Sequence, residues 1–398
     1  MKRRNELDAL RGIFLLVMAG THLPTVLNGV ANQPLGYVSA AEGFVFLSAF
    51  LVGSIYAPFL AERGYAYVRE RLWKRARKLY GYHLLLLLFV FTVVAGVAQW
   101  SGSRALRDYL LVFFHHPAAA VAASPLFMYQ PPLLDILPMY IVFLLLSPAL
   151  LRVADRRGWP VILGGSGLLW LFAQGGGGLW LYQGARALGV PLPLDAYGAF
   201  NWFAWQLVWV AGLGLGAVQW RSTGVVHAIR THARPVMTAA LAVSLVFLLW
   251  RHHVAGFLAG LGAGWGPLDK WTLGPLRITD CVALGLVINR TLLPALRWLR
   301  VRVLELLGRN SLQVFCAHIP VCVLGDGLLG HNATPPGPAE KVVLIVAMLS
   351  VMLLVAWRSE QGGGAAASRA PGQRRRLFFG GRLLPIPIRW RDDEQRRR

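Results

Sequence analysis

Residues 7–24 read LDALRGIFLLVMAGTHLP. Between Gly12 and Thr21 no residue carries a charge, yet Arg11 stands before this run and His22 closes it. A charged side chain costs roughly 2.5–3.5 kcal/mol at the bilayer centre on insertion scales, so a span that keeps such groups has a partner or a task for them. The preceding MKRR imitates the start of a signal peptide, but Asp8 and Arg11 interrupt the approach to the apolar run and no small-residue cleavage site follows. The segment reads as an uncleaved first transmembrane span.

The remainder of the chain has the same character. Its 398 residues are 56% hydrophobic and only 15% charged, more apolar side chain than a water-facing surface hides. Apolar segments at 12–30, 37–60, 79–100, 131–151, 160–174, 202–219, 236–251, 276–293, 311–330 and 341–357 approach the length that crosses about 30 Å of hydrocarbon. The fold class is therefore all-α, a polytopic integral membrane protein with about ten transmembrane helices.

The formal charge of +22 is distributed by side. With the N-terminus in the cytoplasm, thirty-two of the forty Lys and Arg fall on the inner face, and seven lie outside once Arg11 is set apart. The positive-inside rule then places both termini in the cytoplasm. The lipid bilayer accounts for the basic composition and no nucleic acid is needed. Residues 1–358 form the membrane domain, and 359–398 read as a basic, disordered tail against anionic lipid. The runs Gly175–Gly178 and Pro191–Pro193 fall in outer loops, as substrate-facing backbone or plain connectors. Cys281, Cys316 and Cys322 lie within apolar segments, as packing residues. The adjacent His115 and His116 lack a nearby carboxylate cluster, and no metal is expected.

His22 lies eleven residues beyond Arg11, about 16 Å along a helix. The second span enters from outside carrying Glu42 at a similar depth. A carboxylate beside an imidazole fixes its tautomer and raises its basicity, as a general base requires, and a purely structural pair is the equal alternative. Further polar groups in or beside spans are Asp8, Ser48, His83, Asp135, Tyr140, Asn201, Trp205, Gln206, Asn310, Ser311 and His318. Each alone reads as an interhelical hydrogen bond, and together they imply a polar cavity.

The segments LDALRGIFLLVMAGTHLP, AAEGFVFLSAFLVGSIY, KRARKLYGYHLLL, LDILPMYIVFLLLSPALL, FNWFAWQLVWVAG, LGPLRITDCVAL and LGRNSLQVFCAH occur in an order and spacing that resembles OpgC-domain proteins, within the membrane acyltransferase-3 superfamily. The resemblance runs from about Glu6 to about Trp357. It implies an enzyme of the bacterial inner membrane that moves an acyl group, succinyl or acetyl, from cytoplasmic acyl-CoA to a hydroxyl of a periplasmic glucan. The superfamily pattern of Arg and His separated by ten residues is met by Arg11 and His22. Its basic pattern at the start of the third span is met only in part, by Arg75, Ala76, Arg77 and Lys78 preceded by Lys74, since the final Lys stands where Arg is usual and lacks its bidentate fork. Lys74, Arg75, Arg77 and Lys78 carry the charge of this segment. These four are the expected donor-binding residues, with His22, Glu42 and Arg11 as the catalytic set. For the acyl transfer that the resemblance implies, Asn201, Trp205 and Gln206 are the candidate oxyanion donors, and Trp180, Trp202 and Trp205 offer flat surfaces for sugar rings. Direct transfer and an acyl-histidine intermediate both remain open. The reading from another class is a proton-coupled transporter of a glycan or lipid-linked sugar.

Overall fold

The computed structural model describes residues 4–187, 197–221, 233–252, 266–330 and 337–368. The Pro191–Pro193 run and the tail from 369 onward lie outside them. Among the described residues the chain is all-helical, with no strand.

The first helix, α1 (Asn5–Thr21), ends earlier than hydropathy alone predicts. Pro24 lacks an N–H and disfavours helical geometry in the residue before it, so α1 stops at Thr21 and a short α2 (Val26–Ala31) follows. Asn28 Nδ2 closes the break by donating to the Thr21 carbonyl at 2.8 Å.

The second and third expected spans are joined. Helix α3 runs from Ala40 to Phe89 and continues through a π-helical turn, Val90–Val94, into α4 (Ala95–Ser101). Residues 61–78, expected as a loop, are helical except at Gly64, whose φ of 76° lets the chain turn. Three short helices follow: α5 (Arg104–Tyr109), α6 (Leu111–His115) and α7 (Pro117–Ala123). Then come α8 (Ile136–Arg157), α9 (Trp159–Gln174), α10 (Gly177–Ala187), α11 (Trp202–Arg221) and α12 (Ala233–Arg251). The chain ends with α13 (Pro275–Arg290), α14 (Leu292–Leu299), α15 (Arg302–Arg309), α16 (Ser311–Gly325) and α17 (Pro338–Ser368). The last helix thus passes through the start of the expected tail.

Among the described residues, six helical segments are long and apolar enough to cross a membrane. The expected spans at 160–174 and 202–219 are apolar helices shorter than 18 residues, Trp159–Gln174 and Trp202–Val218. Leu84, Leu85, Leu88, Leu146, Leu168, Val342, Val343 and Leu354 point away from the bundle. In water such faces would be an aggregation liability, whereas in hydrocarbon they are solvated and the helices satisfy their own backbones. The protein is a membrane protein.

Small residues set the central packing. Gly212 and Gly216 of α11 abut the carbonyls of Phe46 and Phe50 on α3, and Gly53 abuts that of Leu213 in return. Without a hydrophobic drive between helices in lipid, this backbone-level approach supplies the dispersion that holds the pair. Gly216→Leu is expected to force α11 off α3 at a cost of about 1–3 kcal/mol or more. The check is the midpoint of thermal unfolding in detergent, and an unchanged midpoint would contradict the close packing. The α1 helix is gripped in the same way. Gly12 lies on the Leu304 carbonyl, Gly308 on that of Asp8, and Cys322 Sγ approaches the Ala19 carbonyl at 4.0 Å. So α15 holds the Arg11 end of α1, and α16 follows it to the His22 end.

Candidate active site

Two cavities lie at opposite ends of α1. The first, about 40 Å³ and mostly apolar, is lined by Arg11, Phe44, Arg75, Tyr140, Ser311 and Phe315 among others. Arg11 is buried, with its guanidinium 5.5 Å from the centre of the Phe44 ring, in the range of a cation–π contact. Arg75 donates through Nη2 to the Tyr140 hydroxyl at 3.2 Å. Two guanidinium groups from different helices therefore share one narrow cleft.

The second cavity, about 230 Å³, is lined by Thr21, His22, Asn28, Tyr109, Cys322 and Asp326 with apolar neighbours. His22 is the C-cap of α1, its backbone N–H bonded to Ala19 O at 3.3 Å. Its ring accepts and donates no hydrogen bond among the described residues and is half-buried at the cavity wall. Tyr109 donates its hydroxyl to the Pro132 carbonyl. His318 is buried beside Phe315, ring centres 5.0 Å apart, and is close enough to His22 for their charges to interact.

A family model described as OpgC protein matches residues 3–362. The chain belongs to the OpgC family. No curated protein and no solved structure matches. Membership points to a membrane transferase that modifies osmoregulated periplasmic glucans.

Several residues expected at the site of this OpgC-family protein are engaged elsewhere. Glu42 does not hydrogen-bond to His22. Its Oε1 accepts from Arg277 Nε at 2.6 Å, with Arg277 Nη2 also 2.6 Å away, and both side chains are almost wholly buried. Its Oε2 accepts from Ser39 N at 3.0 Å and from the Ser39 hydroxyl, completing a capping box at the start of α3. An Arg in the same dry volume outcompetes a half-buried imidazole for the carboxylate.

The three oxyanion candidates are likewise structural. Asn201 Oδ1 caps α11 by accepting from Phe203 N and Ala204 N at 3.0 and 3.3 Å. Gln206 is bound on both sides by Ser166 of α9. Trp205 is fully buried and donates Nε1 to Lys270 O at 3.2 Å, which leaves it no face for a sugar. Trp180 is exposed, and Trp202 packs edge-on against Phe127.

Asp135 is buried and accepts from Ala199 N at 3.1 Å. His83 is buried beside Phe127 and Tyr80, outside both cavities, and Ser48 is buried within α3. Asp8 is buried at the start of α1. Asn310 bonds to Leu306 O and to Glu360. Of the four expected donor-binding residues only Arg75 enters a cavity, since Lys74, Arg77 and Lys78 are exposed on the outer side of α3. Beyond it, guanidinium groups lie over aromatic rings: Arg63 on Phe59 and Tyr67, Arg71 on Tyr67, Arg69 on Trp73, and Arg152 on Tyr65. His115 is exposed and bonds to Leu111 O.

Sequence reasoning missed the cavity-lining Tyr109, Asn28 and Asp326. Tyr109 sits in a stretch that reads as an outer loop, where nothing local marks it, whereas Asn28 and Asp326 fall inside the expected spans 12–30 and 311–330, where a polar or charged side chain is itself a signal.

Proposed function

We propose that this protein is a transmembrane O-acyltransferase of the bacterial inner membrane. It takes a succinyl or acetyl group from cytoplasmic acyl-CoA and places it on a hydroxyl of a periplasmic glucan. Ten crossings with both termini in the cytoplasm put the Arg11 end of α1 at the inner face and the His22 end at the outer face. The observation that carries this reading is the pair of cavities at the two ends of one helix. One is narrow, mostly apolar and lined by two guanidinium groups, the other is wider and presents an imidazole.

At the inner end, the phosphates of the donor meet Arg75 and Arg11, and its adenine meets the arginine and aromatic strip around Tyr67 and Trp73. The pantetheine arm extends along α1, bringing the thioester to the His22 end. There a ring nitrogen of His22 takes the proton of the sugar hydroxyl as the oxygen attacks the thioester carbonyl. The tetrahedral adduct collapses, the C–S bond breaks, and the departing thiolate recovers the proton from the imidazolium. Separate entrances keep the two substrates on their own sides of the membrane until they meet.

The test uses purified protein in proteoliposomes, with labelled acyl-CoA on one face and periplasmic glucan on the other. Label is expected on glucan hydroxyls, with mass spectrometry identifying the acyl group. Arg75→Ala is expected to raise the donor KM by about tenfold, the loss of one charged hydrogen bond, while kcat changes far less. Movement of unmodified glucan with no label transfer would overturn the reading in favour of transport.

A further inference from the structure

From Asp269 to Gly274, just before α13, the chain is irregular, and its backbone is well satisfied. Every carbonyl from Leu268 to Leu273 accepts a hydrogen bond. Leu268 O accepts from Arg277 Nη1 at 3.3 Å, and Asp269 O from Gly274 N at 3.0 Å. Lys270 O accepts from Trp205 Nε1 at 3.2 Å and Trp271 O from Asn201 N at 3.1 Å. Thr272 O takes Gln174 Nε2 at 2.6 Å and Leu273 O takes Trp170 Nε1 at 2.8 Å. Donors from α9, α11 and α13 thus hold this loop in one conformation.

What the loop presents is the ammonium of Lys270. It rests on the Trp271 ring, 4.8 Å from its centre, and the residue is half-buried. Among the described residues it forms no ion pair within 4 Å. Its charge interacts with His22, and with Glu42 and Asp135 nearby. Those two carboxylates are already committed, Glu42 to Arg277 and Ser39, and Asp135 to the Ala199 amide. A cation on a fixed backbone, within electrostatic range of His22 and with the local carboxylates already engaged, is arranged for an arriving anion.

We propose that Lys270 selects the acyl group by binding the distal carboxylate of a dicarboxylic acyl donor, so that a succinyl thioester is held with its reacting carbonyl at His22. This rests on the acyl-CoA reading above. Arg277 is excluded from the role by its ion pair, and Arg11 by its place at the other end of α1.

The test compares succinyl-CoA, acetyl-CoA and the monomethyl ester of succinyl-CoA as donors in proteoliposomes, with periplasmic glucan as acceptor. The wild-type protein is expected to use the methyl ester at least tenfold less well than succinyl-CoA, a measurement that needs no variant. Lys270→Met is expected to lower the ratio of kcat/KM for succinyl-CoA over acetyl-CoA by about fiftyfold, and Lys270→Arg to restore most of it. An unchanged ratio in Lys270→Met, or equal use of ester and acid by the wild type, would overturn the role of Lys270. Wild-type protein that transfers acetyl but not succinyl overturns it too, leaving acyl transfer standing. Transfer of neither group overturns the acyl-CoA reading and this one with it.

Discussion

His22→Ala is expected to lower glucan acylation by about 10²- to 10⁴-fold, the contribution of a positioned general base, while leaving the folded chain intact. The two parts of this expectation rest on different facts. The ring of His22 forms no hydrogen bond among the described residues and lies at a cavity wall, so its loss removes little packing. Its capping contact to Ala19 O is made by the backbone, which alanine retains. His318 is the informative contrast, because it is buried against Phe315, and His318→Ala opens a void. The measurement is turnover with labelled acyl-CoA set beside the thermal midpoint for each variant. His22→Ala should lose turnover at constant midpoint, and His318→Ala should lower the midpoint. More than a tenth of wild-type turnover in His22→Ala would remove His22 from the chemistry.

The parts of this molecule that sequence discloses are those whose physics is local. Arg11 and His22 stand out because a hydrocarbon span should exclude them, and both line cavities. Hydropathy separates apolar runs but says nothing about a charged helix between two of them, so 61–78 reads as a loop although it continues α3. The basic cluster at 74–78 is visible as composition, whereas which of its members turns inward depends on helical phase, and only Arg75 does. Asn201 and Glu42 each had a local signal pointing to a structural role. Asn201 directly precedes an apolar helix, as an N-cap does, and Ser39 with Glu42 has the spacing of a capping box. The partner that settles Glu42 is Arg277, 235 residues away, and no spacing rule reaches it.

That pair carries the other large expectation. Arg277→Met leaves Glu42 charged and enclosed, and removing one member of a buried ion pair costs about 3–5 kcal/mol. It also strips the donor from Leu268 O, at the start of the loop that bears Lys270. Glu42→Gln keeps much of the volume yet leaves the guanidinium uncompensated, so it too should destabilise strongly. Replacing both, as Glu42→Leu with Arg277→Met, removes the two charges together and should cost much less than the sum of the singles. Thermal midpoints of the two singles and the double in detergent measure this coupling. Activity measured alongside separates it from the alternative in which Glu42 serves His22. In that case Glu42→Gln would lower kcat at an unchanged midpoint, and Arg277→Met would not reproduce it. With the geometry found, the two single variants fall together in stability, and activity follows only because α3, α13 and the Lys270 loop lose their common anchor.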